Sequence, residues 1–127
     1  MICTGIVSYL LADTTLAGLV GNCIYPTMMP QNSSTFPAIV YTDVSANTDV
    51  NLDLTAVQFK RIQFDCRDIS YLNTKTIQDR LHFLLDGFTG ALPDGMVIKY
   101  VACGTDIDLY DKDSHVYRAV SDWTFQY

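Results

Sequence analysis

The C-terminal segment 116–127 alternates between two kinds of side chain with a period of two, and this pattern restricts the fold more than any other feature of the chain. One face carries a largely aromatic set: Tyr117, Ala119, Trp123, Phe125 and Tyr127. The other face carries a mixed set: Val116, Arg118, Val120, Asp122, Thr124 and Gln126. Such a strand is half-buried. We therefore predict a sheet whose aromatic face is covered and whose other face is solvated or shared.

Periodicity elsewhere predicts the remaining elements. Helices are expected over 2–12, over Thr14–Val20 after an N-cap at Asp13, and over 71–86 between an N-cap at Ser70 and Gly87. Strands are expected over 24–26, 37–45, 56–66, 95–110 and 115–127. The order α-β-β-β-α-β-β predicts one α+β domain over 1–127. Its mostly antiparallel, four- to five-stranded sheet has two helical segments packed on one face.

Residues 46–55 are polar and typical of a turn, and they predict a long inter-strand loop. Its candidate contact residues are Asp49, Asn51 and Asp53. Their spacing matches the start of a calcium-binding loop, but Leu54 replaces the required glycine and Lys60 replaces the bidentate glutamate. No calcium site is predicted there.

The strand over 56–66 changes its apolar face part-way along. Val57 and Phe59 are apolar at odd positions, whereas Ile62, Phe64 and Cys66 are apolar at even positions. Since side chains alternate across a strand, the change at residues 60–61 predicts a bulge, or an arm that leaves the sheet and packs on something else. Val57 and Phe59 are thus candidate interface residues.

The helix over 71–86 carries two stripes. Its core stripe is Ile77, Leu81, Leu84, Leu85 and Phe88. A weaker stripe on another side contains Leu72, Thr76 and Phe83, with Asp79 beside them. Two interpretations stay open: Phe83 covers a sheet edge, or the stripe contacts a neighbouring subunit.

Composition excludes several classes of function. The chain has 14 acidic residues, all aspartate, against 8 lysines and arginines, for a net charge of −6. Duplex binding needs clustered cations, so it is not expected. No cation precedes Lys60 and no apolar run approaches 18 residues, so neither a secretory signal nor a membrane span is expected. Charged residues are 17%, against roughly 25% in a typical domain, which suggests surface covered by other chains.

Motifs for catalysis, metals and cofactors are absent from the sequence. Cys3, Cys23, Cys66 and Cys103 are too widely spaced for a zinc motif and are expected to be reduced. The acidic group Asp106, Asp108, Asp111 and Asp113 predicts either a cation site or ordinary turn chemistry. Neither His82 nor His115 lies in a recognisable nucleophile motif. No enzyme activity, cofactor or bound metal is predicted.

Ordered motifs along nearly the whole chain resemble one family. They are Ala12 and Asp13, Leu16, 19–21 (LVG), Ile24–Pro26, Pro30 and Gln31, 36–41 (FPAIVY), Val44 and Ser45, 61–66 (RIQFDC), 85–88 (LDGF), 106–110 (DIDLY), 116–118 (VYR), and Asp122 with Trp123. In order and spacing they resemble the tail-completion (tail-to-head joining, tail-terminator-like) proteins of long-tailed bacteriophages.

The resemblance implies a virion protein that assembles in the host cytoplasm into a hexameric ring at the head-proximal end of the tail. Such a ring stops polymerisation of the tail tube protein and joins the tail to the head connector or stopper, and DNA passes its bore without specific binding. An adaptor, stopper or minor tail protein is the nearest alternative. A small-molecule-binding α+β domain and an Asp-dependent metal hydrolase are more distant ones.

Overall fold

The computed structural model describes residues 2–21, 23–27, 36–50 and 56–127, with the side chains of 46–50, 56 and 57 left aside. The helices are α1 (Ile2–Ala12), α2 (Thr14–Val20) and α3 (Tyr71–Leu85). The strands are β1 (Ile24–Pro26), β2 (Ala38–Val50), β3 (Ala56–Asp68), β4 (Gly90–Ala91), β5 (Val97–Ile98), β6 (Tyr100–Asp111) and β7 (Val116–Gln126).

Five strands form one sheet in the order β1-β2-β3-β7-β6. The pairs β2–β3, β3–β7 and β7–β6 are antiparallel, whereas β1 runs parallel to β2. The predicted α+β class with a mostly antiparallel sheet is confirmed, and the sheet is mixed because of β1. The predicted strand over 95–110 is divided into β5 and β6. Strand β5 pairs with β4 in a separate two-stranded sheet, and β6 belongs to the main sheet.

The core lies between the helices and one face of the sheet. Trp123, Phe64 and Phe125 are its largest buried side chains. Leu81 and Leu85 of α3 pack against them, as do Ile6 and Leu10 of α1. The aromatic face predicted for β7 is therefore the covered one. Burial of this apolar surface is the main source of stability in a domain of this size.

The helices begin and end where the sequence predicts. The Asp13 carboxylate accepts a hydrogen bond from Leu16 N at 2.8 Å and caps α2. Ser70 caps α3, and Gly87 follows its end with φ of 66°, a left-handed conformation that favours glycine.

No single helix in the described ranges is long and apolar enough to cross a membrane. The pair α1 and α2, which together have the length, bends by 93°.

The hairpin of β2 and β3 differs from the prediction. β2 continues to Val50, and residues 46–50 pair with 56–60, so the predicted loop is wrong for 46–50. Paired backbone hydrogen bonds outweigh the weak strand propensity of these polar residues. Residues 51–55 lie outside the described ranges. The register shift is in β2, between Asp43 and Ser45, rather than at 60–61 of β3.

The end of this hairpin extends past the rest of the sheet. Strand β7 pairs with β3 as far as Phe59, and Tyr127 exchanges backbone hydrogen bonds with Gln58. Beyond Gln58, the described part of β3 pairs with β2 alone. The inferred arm that leaves the sheet is therefore wrong for the described residues, because this end of β3 stays paired with β2 as a two-stranded extension.

A second register shift lies in β6 and controls which of its side chains face the helices. Cys103 pairs with Trp123 and Asp106 pairs with Ser121, while Thr105 pairs with Asp122. Residues 103 and 106 have opposite parity and would face opposite sides of a regular strand. The extra residue at Gly104 is a β-bulge, and it places both Cys103 and Asp106 on the helix-bearing face.

Candidate functional site

The outer side of α3 presents the second stripe that the sequence predicts. Leu72 and Phe83 are each 73% exposed, and Thr76 and Asp79 between them are also exposed. Phe83 therefore does not cover a sheet edge within the described chain. An exposed apolar stripe on a surface helix is typical of a contact with another molecule.

The Phe83 ring is held beside a fixed cation. The Arg80 guanidinium carbon lies 4.4 Å from the centre of the ring, within the range of a cation–π contact. Arg80 in turn donates to both carboxylate oxygens of Asp13, at 2.7 and 2.9 Å. The hydrogen bond from Arg80 lowers the pKa of Asp13. The cap of α2 thus restrains the cation beside the exposed stripe of α3.

The other predicted contact residues lie on the β2–β3 hairpin. Phe59 is half-buried and pairs with Asn47 and Gln126. Val57 and Asp49 are paired with each other in the backbone ladder. Asn51 and Asp53 lie outside the described residues. The backbone register thus places Val57 opposite Asp49 on the hairpin, whereas the stripe lies on α3.

The helix-free face of the sheet carries an apolar surface that sequence reasoning missed. Ile107 and Leu109 of β6 are 50% and 45% exposed, although they belong to a sheet. They line a shallow groove of about 190 Å³ together with Gln63, Thr105, Val120 and Asp122. Because β6 is an edge strand, this groove lies beside backbone groups that face outward. The alternation of Ile107 and Leu109 with aspartates was the available signal.

A buried carboxylate organises the middle of the same face. The Asp65 side chain is 6% exposed. Its Oδ2 accepts hydrogen bonds from Arg118 Nε at 3.0 Å, Arg118 Nη2 at 2.7 Å and Arg67 Nε at 3.0 Å. Such charge-assisted bonds are roughly twice as strong as neutral ones. The bonds from Arg118 tie β7 to β3 at the centre of this face.

The four aspartates of the terminal hairpin do not form one cation site. Asp108 accepts hydrogen bonds from Tyr71 Oη and Lys75 Nζ, both at 3.0 Å. The hydrogen bond from Lys75 lowers its pKa. The Asp111 carboxylate accepts from Asp113 N at 3.0 Å, which is turn chemistry. Only Asp106, among these four, belongs to a group with metal-binding geometry in the described ranges.

That group joins the end of α3 to β6. His82 Nε2 lies 2.9 Å from Asp106 Oδ2, and His82 Nδ1 lies 2.8 Å from Asp86 Oδ2. Cys103 Sγ donates to Asp106 Oδ1 at 3.4 Å. The His82 ring also packs against Trp123, with ring centres 4.9 Å apart. Burial alone would lower the pKa of His82, but the two carboxylates raise it overall.

The cysteines of the described chain are free thiols. All four cysteines are unpaired by disulfides. Burial raises the pKa of the Cys66 thiol, which has no exposed surface. Burial and the hydrogen bond to Asp106 raise the pKa of Cys103 to about 12. A thiol with such a pKa is a weak nucleophile at neutral pH, because the thiolate is the reactive form.

Comparison with known proteins shows a similarity in fold to a virion protein of known structure. No protein-family model matches the chain, and no curated protein sequence is similar to it. A chain of a solved structure described as the virion of native gene transfer agent (GTA) particle is similar in fold. The alignment has a TM-score of 0.73 and 13% sequence identity, and it covers 93% of this chain and 87% of that chain.

At this identity the similarity establishes a shared fold over nearly the whole of both chains. The neighbour is part of a virion, the class of particle that the sequence resemblance predicts. That this chain belongs to such a particle, and that it has the tail-completion role there, are predictions.

Proposed function

We propose that this protein is a structural virion component that assembles into a hexameric ring at the head-proximal end of a tail tube. There it ends tube polymerisation and joins the tail to the head connector or stopper. The observation that carries this proposal is the fold shared along 93% of the chain with a chain of the GTA virion. The ordered sequence motifs agree with it.

Two exposed apolar surfaces support the ring. In a ring, each subunit contacts its neighbours through two different patches, because the interface is head-to-tail. The stripe of Leu72 and Phe83 lies on the helix side, whereas Ile107 and Leu109 lie on the opposite face of the sheet. Patches on opposite faces let each copy present one to the copy before it and the other to the copy after it.

The charge of the chain supports passage of DNA without retention. The net charge is −6, and attraction to phosphate depends on clustered cations. Six of the eight lysines and arginines, namely Lys60, Arg61, Arg67, Lys75, Arg80 and Arg118, form ion pairs with aspartates. A ring built from such subunits offers a DNA backbone few uncompensated positive charges.

We further propose that the protein has no catalytic activity. The pKa of the Cys103 thiol, beside His82, is raised, so the thiol stays protonated at neutral pH. Both ring nitrogens of His82 are already hydrogen-bonded to carboxylates. The groove beside Ile107 measures about 190 Å³ and that beside Arg67 about 180 Å³. Ligand pockets usually exceed about 300 Å³, so these volumes do not favour the small-molecule-binding alternative.

An adaptor, stopper or minor tail protein is the second candidate, because the fold similarity does not distinguish positions within a virion. The roles differ in what the protein does to a growing tube. A terminator limits tube length and binds tube ends, whereas an adaptor or stopper binds the head connector and leaves tube length unchanged.

The experiment is to polymerise the cognate tail tube protein with and without this chain. The length distribution is measured by electron microscopy, and the mass of the chain alone by light scattering after size exclusion. Termination predicts short tubes with a ring at one end, in proportion to the chain added. Unchanged tube lengths, with no density at the tube ends, would contradict termination and leave the connector roles.

A further inference from the structure

We propose that His82, Cys103 and Asp106 form a zinc site that joins the C-terminal end of α3 to the edge strand β6. The ligand atoms are His82 Nε2, Cys103 Sγ and one carboxylate oxygen of Asp106. All three lie within 4.8 Å of one another. This inference is independent of the proposed ring function.

The distances fit a metal after a small adjustment. Zinc–ligand bonds of about 2.0–2.3 Å in a tetrahedron place neighbouring ligand atoms about 3.3–3.7 Å apart. His82 Nε2 lies 2.9 Å from Asp106 Oδ2, and Cys103 Sγ lies 3.4 Å from the other oxygen, Oδ1. With one ligand atom taken from each residue, the three atoms lie within 4.8 Å of one another. Shifts of about 1 Å or less in these half-exposed side chains would bring the atoms to tetrahedral spacing.

The backbone is built to bring these ligands together. The bulge at Gly104 puts Cys103 and Asp106 on the same face, although their parity would separate them in a regular strand. Bulges recur next to functional sites because they redirect a side chain. His82 is in the last turn of α3, where the helix dipole favours a cation.

A second carboxylate orients the histidine. Asp86 Oδ2 lies 2.8 Å from His82 Nδ1, so Nδ1–H donates to it and leaves Nε2 for the metal. Histidine ligands of zinc almost always have such a carboxylate or carbonyl behind them. This second partner distinguishes the cluster from a chance group of acidic residues.

The donor set selects the metal. A thiolate and an imidazole favour Zn²⁺ over Mg²⁺ or Ca²⁺, which prefer oxygen ligands. Binding displaces the proton of the Cys103 thiol, and the proton of His82 Nε2 when it is present, into solvent. A water molecule completes the four ligands on the exposed side, since Asp106 is 41% exposed.

The test uses Co²⁺ as a spectroscopic substitute for Zn²⁺ on the full chain at neutral pH. We expect one Co²⁺ per chain, with a near-ultraviolet charge-transfer band from the thiolate, and its displacement by one equivalent of Zn²⁺. Cys103→Ser should abolish the band. Cys23→Ser and Asp108→Asn, which alter a cysteine and a carboxylate outside the cluster, should retain it.

A second variant protects the test against misfolding. Asp86 is 53% exposed, so Asp86→Asn should fold normally and should weaken Zn²⁺ binding by about 10- to 100-fold. Circular dichroism checks the fold of each variant. A cobalt spectrum that is unchanged by Cys103→Ser would overturn the site. Failure of the wild-type chain to take up Co²⁺ or Zn²⁺ in a saturable way would also overturn it. Equal affinities of Asp86→Asn and wild type for Zn²⁺ would do the same.

Discussion

Asp13 and Arg80 connect the N-terminal helices to α3 through two parallel hydrogen bonds of 2.7 and 2.9 Å, across 67 positions of the sequence. The same carboxylate also caps α2. One side chain thus fixes the start of a short helix and the position of a cation that lies over Phe83. The geometry of the exposed stripe therefore depends on a residue from a different part of the chain.

Removal of this pair should change how stability depends on pH. The hydrogen bond from Arg80 lowers the pKa of Asp13. The ion pair therefore contributes fully to the unfolding free energy above the ordinary aspartate pKa of about 3.9. It is lost as the pH falls through the lowered value. Asp13→Asn keeps a capping oxygen but loses the charge. Its deficit in unfolding free energy relative to wild type should be visible at pH 7 and should shrink below about pH 4.

Asp13→Ala is the matched variant, because it removes the cap as well. It should cost about 1 kcal/mol more than Asp13→Asn, and this extra cost should not depend on pH. Chemical denaturation at several pH values measures both effects. A constant difference between wild type and Asp13→Asn from pH 7 to pH 3 would contradict the ion-pair interpretation.

The exposed stripe should matter for assembly and not for folding. Phe83→Asp places a charge on a side chain that is 73% exposed, so the melting temperature of the isolated chain should change little. Ring formation on tail tubes should be lost, because a buried unpaired charge at an interface is costly. Val97→Asp, at another exposed apolar residue, is the control and should assemble normally. Normal rings from Phe83→Asp on electron microscopy grids would exclude this stripe from the interface.

Substitutions in the two stripes of α3 should differ in their effect on the unfolding free energy. Leu81 is fully buried, and Leu81→Ala should lower the unfolding free energy by about 2–5 kcal/mol through lost burial and a residual cavity. Leu72→Ala, on the same helix and with the same change of atoms, should stay within about 0.5 kcal/mol. Urea denaturation of the pair provides the comparison. Similar costs for both would mean that the stripes are assigned to the wrong sides.

Among the charged residues of the helix-free face, Asp65 should cause the largest loss of unfolding free energy when it is substituted. Asp65→Asn removes the charge that two arginines share and should lower the unfolding free energy by about 1–3 kcal/mol. Asp113→Asn, in the exposed turn, should have almost no effect. A double-mutant cycle with Arg118→Gln measures the coupling directly. Additive losses would show that the contact between Asp65 and Arg118 contributes no coupling energy.

Much of the fold follows from local patterns in the sequence. The helix boundaries are predictable because Asp13, Ser70 and Gly87 satisfy backbone groups or adopt a backbone conformation that few other residues favour. The buried face of β7 is predictable because its period is strict. The extension of β2 to Val50 is not, since cross-strand pairing with β3 overrides the polar composition of residues 46–50.

The candidate site divides in the same way. The stripe of Leu72 and Phe83 is predictable, because residues at helical spacing lie on the same side of a helix. The meeting of His82, Cys103 and Asp106 depends on how α3 lies over β6, which local periodicity does not specify. Gly104 was the available signal, since a glycine inside a strand often marks a bulge.

Strand β6 has a consequence for solubility. A twelve-residue strand at the edge of a sheet invites another copy to add its own strand and to continue into fibrils. Three aspartates, Asp106, Asp108 and Asp111, stand along this edge, and all are exposed. Two copies aligned edge to edge would bring these carboxylates together and repel. The acidic composition of the hairpin thereby guards a protein with exposed isoleucine and leucine against amyloid-like growth.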